Sequence, residues 1–307
     1  MRIIKPPALS PDAKIAVISP AGPIDPQRLK KGLRQLEEWG FNPVLGEHAS
    51  GKTAYLAAND QQRLSDLISA FEDKSVDAVF CSRGGYGAGR LLSMIPFDTI
   101  GSNPKPFVGF SDVTALNWAI FAKTGLITLS GPTVGEIGDG LPPDSLRSFR
   151  AALGLESSAA TIKSDNFRML RPGSARGRLF PGCLSMIVTL LGTPFMPDLT
   201  GAILVIEDVA EKPYRIDRTL THLKNAGILQ KISGLVVGSM VDCWPETNRG
   251  QHLKLDDILL ELTSDHPIPI GIGFPYGHHI DRVTLPIGVE AELSENGLDL
   301  LEELYSI

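Results

Sequence analysis

Short apolar runs alternate with amphipathic segments along the first 130 residues. Residues 14–19 (KIAVIS) are rich in β-branched side chains and end at a loop containing proline and glycine, which predicts a buried strand. Asp25 and Pro26 follow, and leucine then recurs at every third or fourth position up to Gly40. This pattern predicts a helix capped by Asp25, with Pro26 in its first turn. Together the two segments form one predicted βα unit.

The same alternation continues beyond this unit. Further strands are predicted at residues 41–45, 76–81, 106–110 and 126–129, and further helices at residues 60–71 and 113–121. In the second half we predict helices at 184–191 and 216–226, strands at 202–206 and 234–237, and short strands with turns over the last 35 residues. Strands separated by helices favour a parallel sheet covered on both faces. We therefore predict an α/β fold with an N-terminal, mostly parallel sheet flanked by helices and a C-terminal α/β domain with a strand-rich end.

Domain boundaries are predicted from length and composition. A chain of 307 residues corresponds to two ordinary domains or one large one. Residues 131–145 are rich in Gly, Pro and Asp, and residues 157–176 show weak periodicity. We predict an N-terminal domain over residues 1–145, a linker region over 146–164 and a C-terminal domain over 165–307.

Composition excludes several classes of function. Lys and Arg number 29 against 35 Asp and Glu, and a net charge of −6 disfavours binding to nucleic acid. Three cysteines without C-x-x-C spacing favour a reducing compartment over a disulfide framework or a cysteine zinc site. Charges and prolines near the N-terminus leave no apolar stretch for a signal peptide, and three prolines and two glycines interrupt the longest uncharged run, residues 179–197. We expect a cytoplasmic protein with no membrane or nucleic-acid partner.

Ser111 lies where a predicted strand meets a predicted helix, in the segment GFSDVT at residues 109–114. At such a turn a serine hydroxyl is raised at the carboxyl edge of the sheet, where open α/β sheets bind ligands. The unpaired backbone N–H of Asp112 at the helix start is suited to stabilising an oxyanion. The alternative interpretation is that Ser111 only caps the helix, because the second glycine of the nucleophile-elbow motif is absent.

A glycine-rich segment, SRGGYGAGR at residues 82–90, follows the strand predicted to end at Cys81. Glycines let a backbone pass close to a ligand and present N–H groups to negative charge. The spacing is a weak match to the dinucleotide-binding fingerprint, since the final G-x-x-G is missing and the segment follows the third strand. A ligand-binding loop is favoured over a plain turn.

Acidic and histidine side chains follow strands in the second half. Glu207 and Asp208 end the strand that begins near residue 202, where they could orient a base or simply pair with Arg215 or Arg218. His278 and His279 lie in a Gly/Pro-rich loop, and histidine is the best general base near neutral pH. Their spacing with Asp281 is poor for metal ligands, so a metal site is disfavoured. A serine, an acid and a histidine together with a glycine loop are the requirement for acyl transfer by nucleophilic catalysis.

Four blocks in this order resemble the LD-carboxypeptidase family of serine peptidases, which contains muramoyltetrapeptide carboxypeptidases and microcin C resistance peptidases. The blocks are SRGGYG at 82–87, GFSDVT at 109–114, IED at 206–208 with PYRIDR at 213–218, and GFPYGH at 273–278, and the similarity spans roughly residues 12–303. The resemblance implies that Ser111 is the nucleophile, that His278 is the base and that Glu207 orients it. It also implies an N-terminal α/β domain, a C-terminal domain supplying the acid and base, a homodimer, and no metal or cofactor.

The substrate implied by this resemblance is the cytoplasmic murein tetrapeptide, from which terminal D-Ala is removed during cell-wall recycling. We expect the N–H groups of Gly85 and Asp112 to hold the oxyanion. Arg83 is the candidate for binding the terminal carboxylate, and the alternative is that it holds the loop in place. Two departures from the family pattern, His279 in place of glycine and Cys183 in place of asparagine, bear on substrate preference. Cleavage of an aminoacyl-nucleotide analogue, as in the microcin resistance members, and a ligand-binding module without chemistry are the alternatives.

Overall fold

The apolar runs pair into two sheets in a computed structural model, which describes residues 2–157, 161–244 and 253–306. The strands in these ranges are β1 (Lys14–Ile18), β2 (Asn42–Leu45), β3 (Ala78–Cys81), β4 (Phe107–Gly109), β5 (Thr128–Ser130), β6 (Thr161–Ile162), β7 (Arg168–Arg171), β8 (Ala175–Cys183), β9 (Ile203–Val209), β10 (Gly234–Val241), β11 (Ile270–Ile272), β12 (Leu285–Ile287), β13 (Glu290–Ser294) and β14 (Gly297–Leu300). The α-helices are α1 (Pro26–Glu38), α2 (Asp60–Glu72), α3 (Phe97–Ser102), α4 (Thr114–Thr124), α5 (Val134–Asp139), α6 (Pro143–Ala152), α7 (Leu184–Thr189), α8 (Pro213–Asn225) and α9 (Leu255–Leu262).

The first sheet has the strand order β12-β5-β4-β3-β1-β2. Strands β1 to β5 pair in parallel, and each lies buried apart from β2 at the edge. Strand β12 comes from the far end of the chain and pairs antiparallel with β5, so that Leu285 lies opposite Ser130. The carboxyl ends of β1, β3 and β4 therefore meet at one edge of this sheet.

The second sheet has the order β6-β14-β13-β8-β9-β10-β11-β7. Its central strands β8 to β11 are parallel, and the flanking strands β13, β14, β6 and β7 are antiparallel. The prediction of an α/β fold with a parallel N-terminal sheet and a strand-rich C-terminal end is confirmed.

Helix ends follow local capping chemistry. The Asp25 carboxylate accepts hydrogen bonds from the N–H groups of Gln27 and Arg28, as the sequence predicts. Helix α4 begins one residue later than predicted and runs three residues further, to Thr124. Gly125 caps it at φ +77°, a conformation that favours glycine. Helix α7 ends two residues earlier than predicted, at Thr189.

The predicted linker contains part of helix α6. Phe149 on this helix is fully buried in the core that packs against the first sheet. The division into domains at residues 145 and 165 stays a prediction.

One core cluster spans both sheets. Trp118 on α4 is fully buried beside Phe180 of β8, and its indole N–H donates to the carbonyl of Pro181 at 2.8 Å. Burial of large apolar side chains is the main stabilising contribution in such a core. This packing fixes the carboxyl edge of the first sheet against β8 and β9 of the second.

In the part of the chain that the structure describes, no helix is long and apolar enough to cross a bilayer.

Candidate active site

Ser111 lies in a strained turn between β4 and α4. Its φ is +63°, a left-handed conformation that costs a non-glycine residue about 1–3 kcal/mol. A Cβ on Gly109 would lie 2.3 Å from Val113, and a Cβ on Gly84 would lie 2.9 Å from that of Ser111, so both positions require glycine. Ser111 does not cap helix α4 with its side chain, and the capping interpretation is therefore wrong. The turn instead presents a half-buried hydroxyl at the sheet edge.

His278 contacts both Ser111 and Glu207. Its Nε2 lies 2.9 Å from Ser111 Oγ, and its Nδ1 lies 2.6 Å from Glu207 Oε2. Since a carboxylate accepts the Nδ1–H, Nε2 is left to accept the hydrogen bond that Ser111 donates. The three side chains come from positions up to 167 residues apart. These three side chains, here called the triad, can together activate a serine for nucleophilic attack.

Glu207 is fully buried in the second half of β9, and two hydrogen bonds converge on its Oε2. The backbone N–H of His278 donates to Oε2 at 3.1 Å, in addition to the ring Nδ1–H. Gly277 allows this approach: its φ is +136°, and a Cβ there would lie 2.1 Å from Ser239 Oγ and 3.0 Å from Glu207 Cβ. The backbone before His278 thus aligns the imidazole with the carboxylate.

Aromatic and charged side chains pack against the imidazole. The ring of Phe110 lies 4.8 Å from that of His278, and the guanidinium carbon of Arg282 lies 4.0 Å from the Phe110 ring centroid. Arg282 donates to Glu136 at 2.7 Å. Burial pushes the pKa of Glu136 upward, but Arg282 and the hydrogen bonds from Thr133 outweigh it and hold the pKa below its usual value. The His278 ring therefore packs against Phe110, and the Arg282 guanidinium on that phenyl ring is neutralised by Glu136.

Sequence reasoning did not identify Phe110, Glu136 or Arg282 as part of this site. Arg282 and His278 lie four residues apart in a loop, so no helical periodicity relates them. Glu136 lies on α5 and Arg282 lies 146 residues later, in the loop before β12, so only the folded chain brings them together.

The glycine loop, residues 82–90, passes directly beside Ser111. Gly85 has a φ of +105°, and its N–H donates to no atom among the residues that the structure describes. The N–H of Asp112 lies in a 3₁₀ turn, residues 111–113, that precedes α4, while its carboxylate accepts the N–H of Ala88 at 2.8 Å. Burial raises the pKa of Asp112, and that hydrogen bond opposes the rise. The side chain of Asp112 therefore holds the glycine loop, a role that the sequence did not predict.

Arg83 extends from the same loop and is exposed. Its Nη1 donates to the carbonyl of Pro23 at 2.8 Å, and its guanidinium carbon would lie 3.9 Å from a Cβ on Gly85. The guanidinium thus lies over the glycine loop with one nitrogen engaged by backbone.

Asp208 and Cys183 lie behind the triad. Cys183 pairs with Glu207 across β8 and β9, and the Asp208 carboxylate accepts the N–H of Ser185 at 2.9 Å. Burial raises the pKa of Asp208 and of the Cys183 thiol, and for Cys183 the nearby carboxylates add to the effect. Arg215 pairs with Glu211 at 3.3 Å, so the simple ion pair considered for Glu207 and Asp208 is not formed with Arg215.

His279 is exposed and pairs with Asp281 instead of joining the hydrogen bonds of Ser111 and Glu207. Its side chain is 61% exposed, and its Nδ1 lies 3.7 Å from Asp281.

Across residues 2–157, 161–244 and 253–306, no group of three His, Cys, Asp or Glu side chains has the geometry to hold a metal ion.

Comparisons with known proteins assign both halves of the chain to one family. The model of the LD-carboxypeptidase N-terminal domain matches residues 15–131, and that of the C-terminal domain matches residues 176–293. A Bacillus subtilis protein named "Probable murein peptide carboxypeptidase" is 38% identical over 292 residues, covering 94% of this chain and 91% of that protein. The microcin C7 self-immunity protein MccF of Escherichia coli is 27% identical over 321 residues, covering 94% and 92%.

A solved structure extends the similarity to three dimensions. The muramoyltetrapeptide carboxypeptidase of Oxalobacter formigenes superimposes with a TM-score of 0.83 at 31% identity, covering 96% of this chain and all of that one. Two matching domain models in the right order, and relatives aligned over nearly the whole chain, identify the fold and the class of enzyme. The chain belongs to the LD-carboxypeptidase family and is a serine-type carboxypeptidase.

Proposed function

We propose that this enzyme hydrolyses the L,D-peptide bond that joins the terminal D-alanine to a murein tetrapeptide. The contact of Ser111 Oγ with His278 Nε2, backed by Glu207, carries the proposal. The names of the relatives from Bacillus subtilis and Oxalobacter formigenes support murein peptides as the substrate class.

Ser111, His278 and Glu207 have different roles in the proposed mechanism. Ser111 Oγ attacks the scissile carbonyl while His278 Nε2 takes its proton, and Glu207 stabilises the imidazolium that forms. The oxyanion accepts hydrogen bonds from the N–H groups of Gly85 and Asp112, at about 3 kcal/mol of transition-state stabilisation per donor. His278 then protonates the amine of the leaving D-alanine. Water attacks the acyl-enzyme with His278 again as base, which releases the tripeptide and restores Ser111.

An exopeptidase must also recognise a free carboxylate. We assign this recognition to Arg83, whose planar guanidinium matches a carboxylate and has one nitrogen engaged by the carbonyl of Pro23.

We also propose that the enzyme is a cytoplasmic homodimer that needs no cofactor. The three unpaired, buried cysteines are consistent with a reducing compartment.

Mass spectrometry of murein tetrapeptide incubated with the purified enzyme tests the substrate. Loss of one D-alanine is expected, with the tripeptide as the other product. A tetrapeptide ending in L-alanine is the matched control and should remain intact. Cleavage of both peptides at equal rates, or of neither, would contradict the assignment. Light scattering on the same preparation tests the homodimer.

A second candidate substrate follows from the relation to MccF, whose name denotes immunity to microcin C7. An aminoacyl-sulfamoyl nucleoside supplied beside the tetrapeptide separates the two. Faster cleavage of the nucleoside would favour the MccF-like function over peptide processing.

Replacing Glu207 with glutamine is expected to lower kcat roughly 10³- to 10⁴-fold with KM within a few-fold. The amide places an N–H or a neutral oxygen at Nδ1, so the imidazole loses both its tautomer preference and its counter-ion. Steady-state kinetics on the tetrapeptide measures the effect.

The matched control is Asp208→Asn. Asp208 is the next residue on the same strand, is equally buried and does not contact the imidazole. We expect it to keep kcat within about tenfold of the wild type. Similar losses of kcat in the two variants would contradict a specific role for Glu207. They would show that kcat depends on the general integrity of this part of β9 and not on the Glu207 carboxylate.

A further inference from the structure

Arg63 is a fully buried cation whose guanidinium binds the backbone of three separate loops. Its side chain is 1% exposed on α2. Nε donates to the carbonyl of Ala58 at 3.1 Å, and Nη1 donates to the carbonyls of Pro20 and, at 2.9 Å, Gly87. Asp60 accepts from Nη2 at 2.5 Å. One planar group thus connects the loop after β1, the loop before α2 and the glycine loop after β3.

The glycine loop rests directly on this guanidinium. Gly87 has a φ of +127°, and a Cβ there would lie 2.9 Å from Arg63 Nη1, so only glycine lets the backbone come this close. One residue further on, the N–H of Ala88 donates to the Asp112 carboxylate. The loop is therefore held on one side by Arg63 and on the other by the residue that follows the nucleophile.

A second contact holds the far end of the same loop. Arg90 donates through Nε and Nη2 to the Asp60 carboxylate, which also accepts from Arg63. The hydrogen bonds from Arg90, followed by those from Arg63, lower the pKa of Asp60. Arg63, Asp60 and Arg90 thus form an ionic network. It joins the first turn of α2 to the glycine loop, which carries Gly85.

Burying a guanidinium costs free energy, which is recovered only when its donors are satisfied in good geometry. A hydrophobic side chain could fill the same volume but would leave the carbonyls of Pro20, Ala58 and Gly87 without these donors. The fork of N–H groups also sets the directions of the carbonyls, which flexible apolar packing does not. The structure therefore shows a group that orients backbone, at the loop where an oxyanion donor is required.

We propose that Arg63 is a positioning residue for the oxyanion hole, which fixes the glycine loop through Gly87 so that the Gly85 N–H faces the developing oxyanion. This inference rests on the proposed role of Ser111 and of the Gly85 N–H. An oxyanion donor acts through preorganisation, so a loosened loop reduces transition-state stabilisation more than substrate binding. The substrate carboxylate and peptide contact other groups, and KM is therefore affected less than kcat.

The test compares Arg63→Met and Arg63→Lys with the matched control Lys105→Met. Lys105 is also a buried cation, 6% exposed, that donates to two backbone carbonyls, Ala70 and Asp73, at the other end of α2. Both methionine variants are expected to lower Tm. Only Arg63→Met is expected to lower kcat, about 10- to 100-fold with KM within threefold, and Arg63→Lys should recover part of this loss because an ammonium can still donate to Gly87.

A second measurement needs no peptide substrate. The rate at which a fluorophosphonate labels Ser111 depends on stabilisation of charge on the phosphoryl oxygen as the serine oxygen–phosphorus bond forms and fluoride leaves. Labelling should slow by a similar factor in Arg63→Met and remain unchanged in Lys105→Met. If Arg63→Met fails to fold, Arg63→Lys is compared with the wild type in the same assay, and slower labelling at wild-type Tm supports the proposal.

Three results would overturn this role for Arg63. They are wild-type labelling in the folded Arg63→Met variant (or in Arg63→Lys, where only that variant folds), equal slowing in Lys105→Met, and a rise in KM without a fall in kcat. A wild-type enzyme that is labelled at Ser111 but releases no D-alanine contradicts the proposed substrate instead, and the labelling rates still decide the role of Arg63.

Discussion

Replacing Ser111 with alanine is expected to lower kcat by about 10⁴- to 10⁶-fold, because alanine has no hydroxyl with which to form the acyl-enzyme. The hydroxyl lies within hydrogen-bond distance of His278, and the side chain is small and half-buried. Its loss costs about 1 kcal/mol, which corresponds to a shift in Tm of about 2–4 °C. Release of D-alanine measured by mass spectrometry, with Tm from calorimetry, checks both parts.

The matched control is Ser233→Ala. This hydroxyl also donates to backbone carbonyls, those of Gly201 and Ala202, but lies at the start of β10 away from the triad. Its removal should leave kcat within about twofold. D-alanine release by Ser111→Ala at more than a hundredth of the wild-type rate would refute the assignment of Ser111 as nucleophile.

The two adjacent histidines provide the second large expected effect. His278→Ala should lose about 10⁴- to 10⁶-fold in kcat, since the base, the general acid for the leaving amine and the contact with Glu207 disappear together. His279→Ala should keep kcat within about threefold, because its ring is mostly exposed and contacts Asp281 instead. Parallel kinetics on the two variants, prepared alike, measures the ratio.

This pair separates chemistry from general damage to the loop, since the substitutions are neighbours in one segment. An inactive His279→Ala with an active His278→Ala would reverse the assignment of the base. Equal loss in both would indicate that the loop conformation, and not one imidazole, is being measured.

Much of the fold is predictable because it follows from local patterns. The apolar run before residue 19 becomes β1, and the Asp25–Pro26 signal starts α1, since capping and hydrophobic periodicity act within a few residues. Strand β12 has no comparable signal. Its place at the edge of the first sheet depends on pairing Leu285 with Ser130, 155 residues earlier, and such long-range register is not encoded in a local pattern.

The candidate site divides in a similar way. Ser111, Glu207 and His278 are predictable because each is a chemically suitable residue in a recognisable block. The supporting groups are not, because a single arginine or phenylalanine carries no motif. Arg63 is an exception, because the sequence does carry a signal for it. It lies four residues before Leu67 on the apolar face of α2, and a charged residue on such a face indicates a buried, paired side chain.

The amino-acid sequence by itself determined the α/β class, the candidate nucleophile, acid and base, and the strand-to-helix turn that carries the serine. The tertiary structure alone decided that Ser111, Glu207 and His278 meet within hydrogen-bond distance, that Asp112 and Arg63 hold the glycine loop, and that Arg282, paired with Glu136, packs on the phenyl ring that contacts the imidazole. The physical reason is the range of the interactions. Periodicity and capping are set by neighbours along the chain, whereas these contacts join residues that only the packing of two sheets brings together.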